Sequence, residues 1–136
     1  MKPRKVLDSS VIIAAQRGSE EADRAIAAAL RDRGTVLPAI VSLEVRAAPR
    51  SSKRWRAWVQ SLEATLGVTP LDARAAQLGA RAARWAARAG RQLGSADAAV
   101  VGCGAARNAT VIVTADPDFD ALPPPFSVER VPTPRG

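Results

Sequence analysis

Short apolar runs alternate with helical segments along almost the whole chain, and this alternation constrains the fold more than any other feature. Parallel strands need long crossovers, so the pattern predicts a parallel sheet covered by helices on both faces. The predicted strands cover residues 6–7, 35–37, 67–69, 110–113 and 127–131. The predicted helices cover residues 11–17, 19–33, 39–47, 52–66, 72–89 and 95–107. We therefore expect an α/β fold with three layers, α/β/α, around a central, mostly parallel sheet.

The length of 136 residues fits one domain. We expect a single domain over residues 1–136, with residues 132–136 as a loose Pro-rich tail. No apolar run approaches the roughly 20 residues of a membrane span, and no signal-peptide cleavage site follows the basic N-terminus. These features predict a soluble, cytoplasmic protein.

The chain contains no histidine and one cysteine. The absence of histidine excludes a Ser-His-Asp triad, a histidine general base and an imidazole zinc site. Cys103 cannot form a disulfide within the chain, and we expect it to be a small buried side chain. Any hydrolytic chemistry must therefore use other groups.

The excess positive charge is regional. The net charge is +7, and ten basic but only two acidic residues lie between Arg46 and Leu93. This balance favours a polyanionic partner, although a solvated basic surface is the alternative. Along the predicted helix 72–89 and just beyond it, arginines recur at helical spacing: Arg74, Arg81, Arg84, Arg88 and Arg91. The opposite face, which includes Trp85, is predicted to pack in the core.

Four acidic residues occupy positions that a parallel sheet brings to one edge. Asp8 and Asp116 follow predicted strands directly, at the carboxyl ends where sites form in α/β sheets. Glu44 and Asp97 lie in or near the first turns of helices. Carboxylates brought together repel one another, so the arrangement needs a cation. Mg²⁺ prefers oxygen ligands, and Mn²⁺ can substitute for it.

Each acid also has a structural interpretation. Asp8 can cap the first helix, for which Ser9 and Ser10 are the predicted caps, and Asp97 can pair with the dipole of a helix predicted to be capped by Ser95. Glu44 stands in an apolar stretch, where a salt bridge to Arg46 or Arg50 is the alternative to a metal. Asp118 and Asp120 are typical turn residues. The Ser10 and Thr114 hydroxyls are predicted to orient a carboxylate or a water, or to act as caps.

The motifs around these acids, taken together, resemble the PIN domains of the VapC toxin family. The matching segments run over residues 6–10, 38–45, 95–100 and 113–119, and they carry Asp8, Glu44, Asp97 and Asp116 respectively. The resemblance covers residues 6 to about 131. This sequence departs from the family's usual pattern at Gly102-Cys103-Gly104, where bulkier or alanine-rich sequence is more common.

The resemblance implies an Mg²⁺-dependent endoribonuclease, a small cognate antitoxin as partner, and a homodimer. Asp8 and Asp97 are the expected direct metal ligands, Glu44 and Asp116 hold waters or a second ion, and Asp118 competes with Asp116 for the last position. The RNA-contact candidates are Arg46, Arg81, Arg84 and Arg88, with Trp55 or Trp58 as a surface on which a base can stack. The alternatives are a PIN-like or receiver-like α/β module that binds RNA or a protein without cleaving, and a DNA flap nuclease.

Overall fold

The computed structural model describes residues 2–49 and 51–132. The strands are β1 (Arg4–Leu7), β2 (Leu37–Pro38), β3 (Val68–Thr69), β4 (Ala109–Thr114) and β5 (Ser127–Arg130). The α-helices are α1 (Ser9–Gln16), α2 (Glu20–Arg31), α3 (Ala39–Arg46), α4 (Lys53–Leu66), α5 (Ala73–Arg88) and α6 (Ser95–Ala106). A short 3₁₀ helix, Pro117–Ala121, follows β4. Every predicted strand and helix is present, with shifted ends.

Every strand pair within the described ranges is parallel. β1 pairs with β4, β4 with β5, and β2 with β3. A bridge between Val6 and Val36 joins the two groups, since the Leu7 N–H donates to the Val36 carbonyl at 3.0 Å and the Val36 N–H donates to the Lys5 carbonyl at 2.8 Å. The order across the sheet is β3-β2-β1-β4-β5, which confirms the predicted parallel sheet.

Helices complete the three-layer arrangement. α6 contacts β1, β2 and β4, and α5 packs against α6. α1 contacts β4, and α2 contacts β1. One continuous apolar core fills the space between these layers, and its fully buried side chains include Leu7, Ile12, Leu37, Ile112 and Phe119. None of the helices in residues 2–49 and 51–132 is both long and apolar enough to cross a membrane.

The contact between α5 and α6 depends on residues without large side chains. A Cβ atom added at Gly102 would overlap the Ala75 carbonyl oxygen, and one added at Gly79 would overlap the Ala98 carbonyl oxygen. The two backbones therefore approach so closely that only glycine fits at these crossing points. This close approach explains Gly102, whereas a Cβ atom at Gly104 would meet the Ala109 carbonyl oxygen at 2.7 Å. Cys103 is buried as predicted.

The prediction that Trp85 packs in the core is wrong. Trp85 is 45% exposed, and the buried row of α5 consists of Ala75, Gly79, Ala82 and Ala86. The close approach of α6 leaves room for only small residues on that row. An indole cannot fit there, so Trp85 lies at the border of the buried face.

The predicted helix caps are also wrong at two sites. The residue that precedes α1 is Asp8, and the residue that precedes α6 is Gly94, and neither makes a side-chain capping hydrogen bond. Ser9, Ser10 and Ser95 lie inside the first turns instead. The Ser10 hydroxyl makes hydrogen bonds to residues at the end of the sheet, so it is not available to cap α1. Most of the predicted loose tail, residues 133–136, lies outside the described residues, as does Arg50.

We expect Gly102→Ala to destabilise the protein by about 3 kcal/mol, because the new methyl group forces α5 and α6 apart. The matched control is Gly94→Ala, since a Cβ there meets no heavy atom within 4 Å. The control is expected to change stability by about 1 kcal/mol or less. Urea unfolding of both variants measures the difference, and equal transition midpoints would contradict the account of helix packing.

Candidate active site

The pairing of β1 with β4 brings the first and last predicted acids to the same edge of the sheet. Leu7 pairs with Val113 at the ends of these strands, and the Asp8 N–H donates to the Val113 carbonyl at 3.0 Å. Asp116 follows two residues after the end of β4. Both acids therefore stand at the carboxyl ends of adjacent parallel strands, where sites form in this class of fold.

Two hydroxyl groups hold the buried Asp8 carboxylate. Asp8 Oδ2 accepts a hydrogen bond from Ser10 Oγ at 2.6 Å and one from Thr114 Oγ1 at 2.8 Å. Ser10 Oγ in turn accepts from the Ala115 N–H, and Thr114 Oγ1 accepts from the Asp116 N–H, both at 2.9 Å. Each hydroxyl can donate its proton to Asp8, and the two hydroxyl oxygens lie 3.1 Å apart. These bonds offset the cost of burying Asp8, which is 3% exposed, and they fix the turn that carries Asp116.

Asp97, in the first turn of α6, interacts electrostatically with the other acids of the candidate site. Burial raises the pKa of its carboxyl to about 7, helped by the negative charges of Asp8, Asp116, Asp118 and Glu44. We call these five residues the acidic cluster. The structure thus brings together all four acids that the sequence singled out, with Asp118 as a fifth.

Three members of the acidic cluster lie close enough to share one cation. Asp97, Asp116 and Asp118 each offer a carboxylate oxygen, and these oxygens lie within 4.8 Å of one another. Oxygens on opposite sides of an Mg²⁺ ion lie about 4.2 Å apart, since each Mg–O bond is about 2.1 Å. The carboxylate oxygens therefore suit a hard divalent cation, and binding one Mg²⁺ would require them to move closer by up to about 0.6 Å. Asp116 and Asp118 belong to the same group of candidate ligands, and a hydrogen bond from the Asp118 N–H to Asp116 Oδ1 at 2.9 Å links them.

Glu44 and Asp120 have different surroundings. Glu44 is half-buried on α3, and the alternative of a salt bridge to Arg46 is not found, because Arg46 pairs with Glu63 instead. Arg46 Nε donates to Glu63 Oε2 at 2.9 Å, and this bond holds the pKa of the Glu63 carboxyl below its usual value. Asp120 pairs with Arg130, and it is not among the acids whose charges raise the pKa of Asp97.

The other basic and aromatic candidates lie on helix surfaces. Arg81, Arg84 and Arg88 are exposed along α5. Trp55 and Trp58 are partly buried on α4 and stack on each other, with ring centroids 4.9 Å apart. The faces of the two indole rings are therefore partly covered within the protein, which makes them less suitable for stacking on a base.

Arg91 lies beside the acidic cluster, although it was not among the predicted site residues. Its guanidinium Nη2 donates to the Pro117 carbonyl at 3.4 Å, between Asp116 and Asp118. Arg91 continues the arginine spacing of α5 but follows Gly90, past the end of the helix. The spacing was the only signal in the sequence, and the contact depends on a turn that local pattern does not specify.

Comparison with known proteins agrees with this geometry. Residues 5–123 match the family model of the PIN domain. VapBC-5 from Mycobacterium tuberculosis, a member of the VapBC family of toxin–antitoxin systems, is 26% identical, with a TM-score of 0.63 over 96% of this chain and 100% of that chain. No curated protein sequence shows a significant match.

Two further solved structures share the fold. DNA-bound VapBC from Salmonella typhimurium is 22% identical, with a TM-score of 0.72 over 95% of this chain and 98% of that chain. FitAcB from Neisseria gonorrhoeae is 20% identical, with a TM-score of 0.69 over 91% and 95% of the two chains. The chain therefore belongs to the PIN domain family, and the VapC-type PIN domains whose fold it shares are nucleases.

Proposed function

We propose that this protein is an Mg²⁺-dependent endoribonuclease that hydrolyses RNA phosphodiester bonds, and that it is the toxin of a VapBC-type pair. The observation that carries the proposal is the acidic cluster, in which burial and then repulsion by the neighbouring carboxylates raise the pKa of Asp97 to about 7. Without a cation this arrangement costs stability. Its presence at the carboxyl edge of the sheet in a PIN domain supports a catalytic role.

Asp97, Asp116 and Asp118 are the residues best spaced to hold the cation directly. This assignment differs from the sequence-based one, which made Asp8 and Asp97 the direct ligands. Asp8 and Glu44 are not members of that group, but their negative charges act on Asp97. When bound, a divalent cation supplies Lewis acidity, which lowers the pKa of water and offsets charge on phosphate. Mn²⁺ has similar ligand preferences and is expected to substitute for Mg²⁺.

The remaining residues of the site orient the carboxylates and position the RNA. The Ser10 and Thr114 hydroxyls hold the Asp8 carboxylate in one rotamer, so its negative charge is aimed without rearrangement. Arg81, Arg84 and Arg88 contact phosphates of the bound RNA, and Arg91 does so nearest the acidic cluster. Arg46 is less available, because its guanidinium is engaged by Glu63.

The proposed partners follow from the relatives. VapBC and FitAB structures are toxin–antitoxin assemblies, which supports a small antitoxin as the partner of this chain. The homodimer and the cytoplasmic location stay predictions from the resemblance and the composition. A receiver-like module is disfavoured, because the family match is to a PIN domain and Ser9 and Ser10 stand where a second acid of a phospho-acceptor pair belongs.

Purified protein is expected to cut single-stranded RNA with Mg²⁺ or Mn²⁺ and to stop when EDTA is added. Asp97→Asn should lower the cleavage rate at least about a hundredfold, because it removes a ligand and its charge. The matched control is Asp120→Asn, whose carboxylate pairs with Arg130 outside the acidic cluster. Gel-resolved cleavage of a labelled RNA measures all three proteins. RNA binding without metal-dependent cutting would support the non-cleaving alternative and overturn the proposal.

The metal-free protein should become less stable as the pH rises from about 4 to about 7. The folded protein holds a proton on Asp97 up to its pKa of about 7, whereas the unfolded chain releases it near the ordinary value of 3.8. The folded state therefore binds more protons in this window, and its advantage is lost as pH rises. Asp97→Asn should raise the melting temperature at pH 8 in EDTA by about 5 °C.

Mg²⁺ should raise the melting temperature of the unmodified protein more at pH 8 than at pH 5, because the cation competes with the proton on Asp97. Thermal unfolding with and without Mg²⁺ measures this difference, and Asp120→Asn again serves as the control. An identical pH dependence of stability in the Asp97→Asn variant and the unmodified protein would exclude Asp97 as the repelled carboxylate.

A further inference from the structure

Trp85 borders a hollow on the surface of the protein, away from the acidic cluster. The hollow has a volume of about 440 Å³, within the range of roughly 300–1,000 Å³ that small-molecule sites occupy. Trp85 and Leu78 from α5 form one wall, and the segment 123–126, three prolines and Phe126, forms another. Asn108 and Thr110 add polar groups at its end. The hollow thus combines an exposed aromatic side chain with hydrogen-bonding groups.

Arginines flank Trp85 along the same face of α5. Arg74, Arg81 and Arg88 are spaced by seven residues and form one stripe, which we call the arginine stripe. Arg81, Trp85 and Arg88 follow the i, i+4, i+7 pattern that places side chains side by side. α5 contains no acid, and within the part of the chain that the structure describes these three arginines form no ion pair. Their charge is therefore available to a polyanion.

We propose that the Trp85 hollow receives one unpaired base of a single-stranded RNA, with Arg81 and Arg88 binding the phosphates on either side. The indole offers a face for stacking, which tolerates any base. Asn108 and Thr110 can hydrogen-bond the edge of that base. Charge complementarity selects this occupant over an apolar protein segment, since cations stand at both ends of the aromatic wall. The identity of the ligand rests on the proposed ribonuclease function.

The position of Arg91 connects this subsite to the acidic cluster. Arg91 lies six residues beyond Trp85 and three residues beyond the end of α5 at Arg88. Its guanidinium contacts the Pro117 carbonyl at the acidic cluster. An RNA strand that places a base on Trp85 and follows Arg88 and Arg91 therefore reaches the carboxylates that hold the cation. The subsite would set affinity and register without touching the bond that breaks.

The test is binding of a short fluorescein-labelled oligouridylate, followed by fluorescence anisotropy in EDTA so that no cleavage occurs. Trp85→Ala should weaken binding about tenfold, and Trp85→Phe, which keeps an aromatic face, should stay within about twofold of the unmodified protein. Leu30→Ala is the matched control, because Leu30 is an exposed apolar side chain, 38% exposed, on α2. A double variant, Arg81→Gln with Arg88→Gln, should reduce the steepness of log affinity against log salt by about 1.4, since each phosphate contact to a single strand contributes about 0.7.

A Trp85→Ala protein that binds the oligonucleotide as tightly as the Leu30→Ala control would overturn the proposal. So would a change in oligomeric mass without a change in RNA affinity, because it would assign the hollow to a protein partner. Since binding is measured without metal, the two proposals fail separately. If RNA binding depends on Trp85 but Mg²⁺-dependent cleavage is not seen, the proposed ribonuclease activity is rejected. If the protein cleaves RNA but its RNA affinity does not depend on Trp85, the proposed subsite is rejected.

Discussion

Repulsion among the five carboxylates of the acidic cluster is the constraint around which the rest of the structure is arranged. The ends of two parallel strands, the first turn of α6, the turn after β4 and helix α3 carry these five acids, and the fold must be stable against the charge that they concentrate. Two hydroxyls hold the Asp8 carboxylate, whereas burial and the neighbouring negative charges raise the pKa of Asp97 to about 7. A cation beside Asp97 would relieve this repulsion.

The close packing of α5 on α6 also helps to position the acidic cluster. Gly79 and Gly102 let the helix backbones meet, so that α6 lies against β1 and β4 and its first turn presents Asp97 to the acids that follow those strands. The same approach excludes a large side chain from the buried row of α5, and Trp85 is displaced to the border beside the arginine stripe. A packing requirement at the centre of the protein therefore determines which aromatic side chain its surface displays.

The sequence predicts the sheet and the convergence of the acids well, because both depend on local signals. Asp8 and Asp116 follow apolar runs, and parallel strands place such positions together. Contacts between distant residues are harder to predict. Arg46 pairs with Glu63, 17 residues away, rather than with Glu44. Of its two predicted roles, Ser10 orients the Asp8 carboxylate and does not cap the helix. Periodicity divides α5 into two faces but does not reveal how narrow the buried one is, so it assigned Trp85 to the core.

The separation of charge on this molecule couples its two proposed ligands. The acidic cluster repels a phosphate that approaches the edge of the sheet, whereas the arginines of α5 and Arg91 attract the same strand a short distance away. A divalent cation on Asp97, Asp116 and Asp118 would offset part of that negative charge and offer the phosphate an oxygen-binding position where RNA must come close. Each ligand therefore raises the affinity for the other, as linkage requires. On the proposed function, arginines hold RNA with or without the metal, but the strand enters the acidic cluster only when the cation is bound.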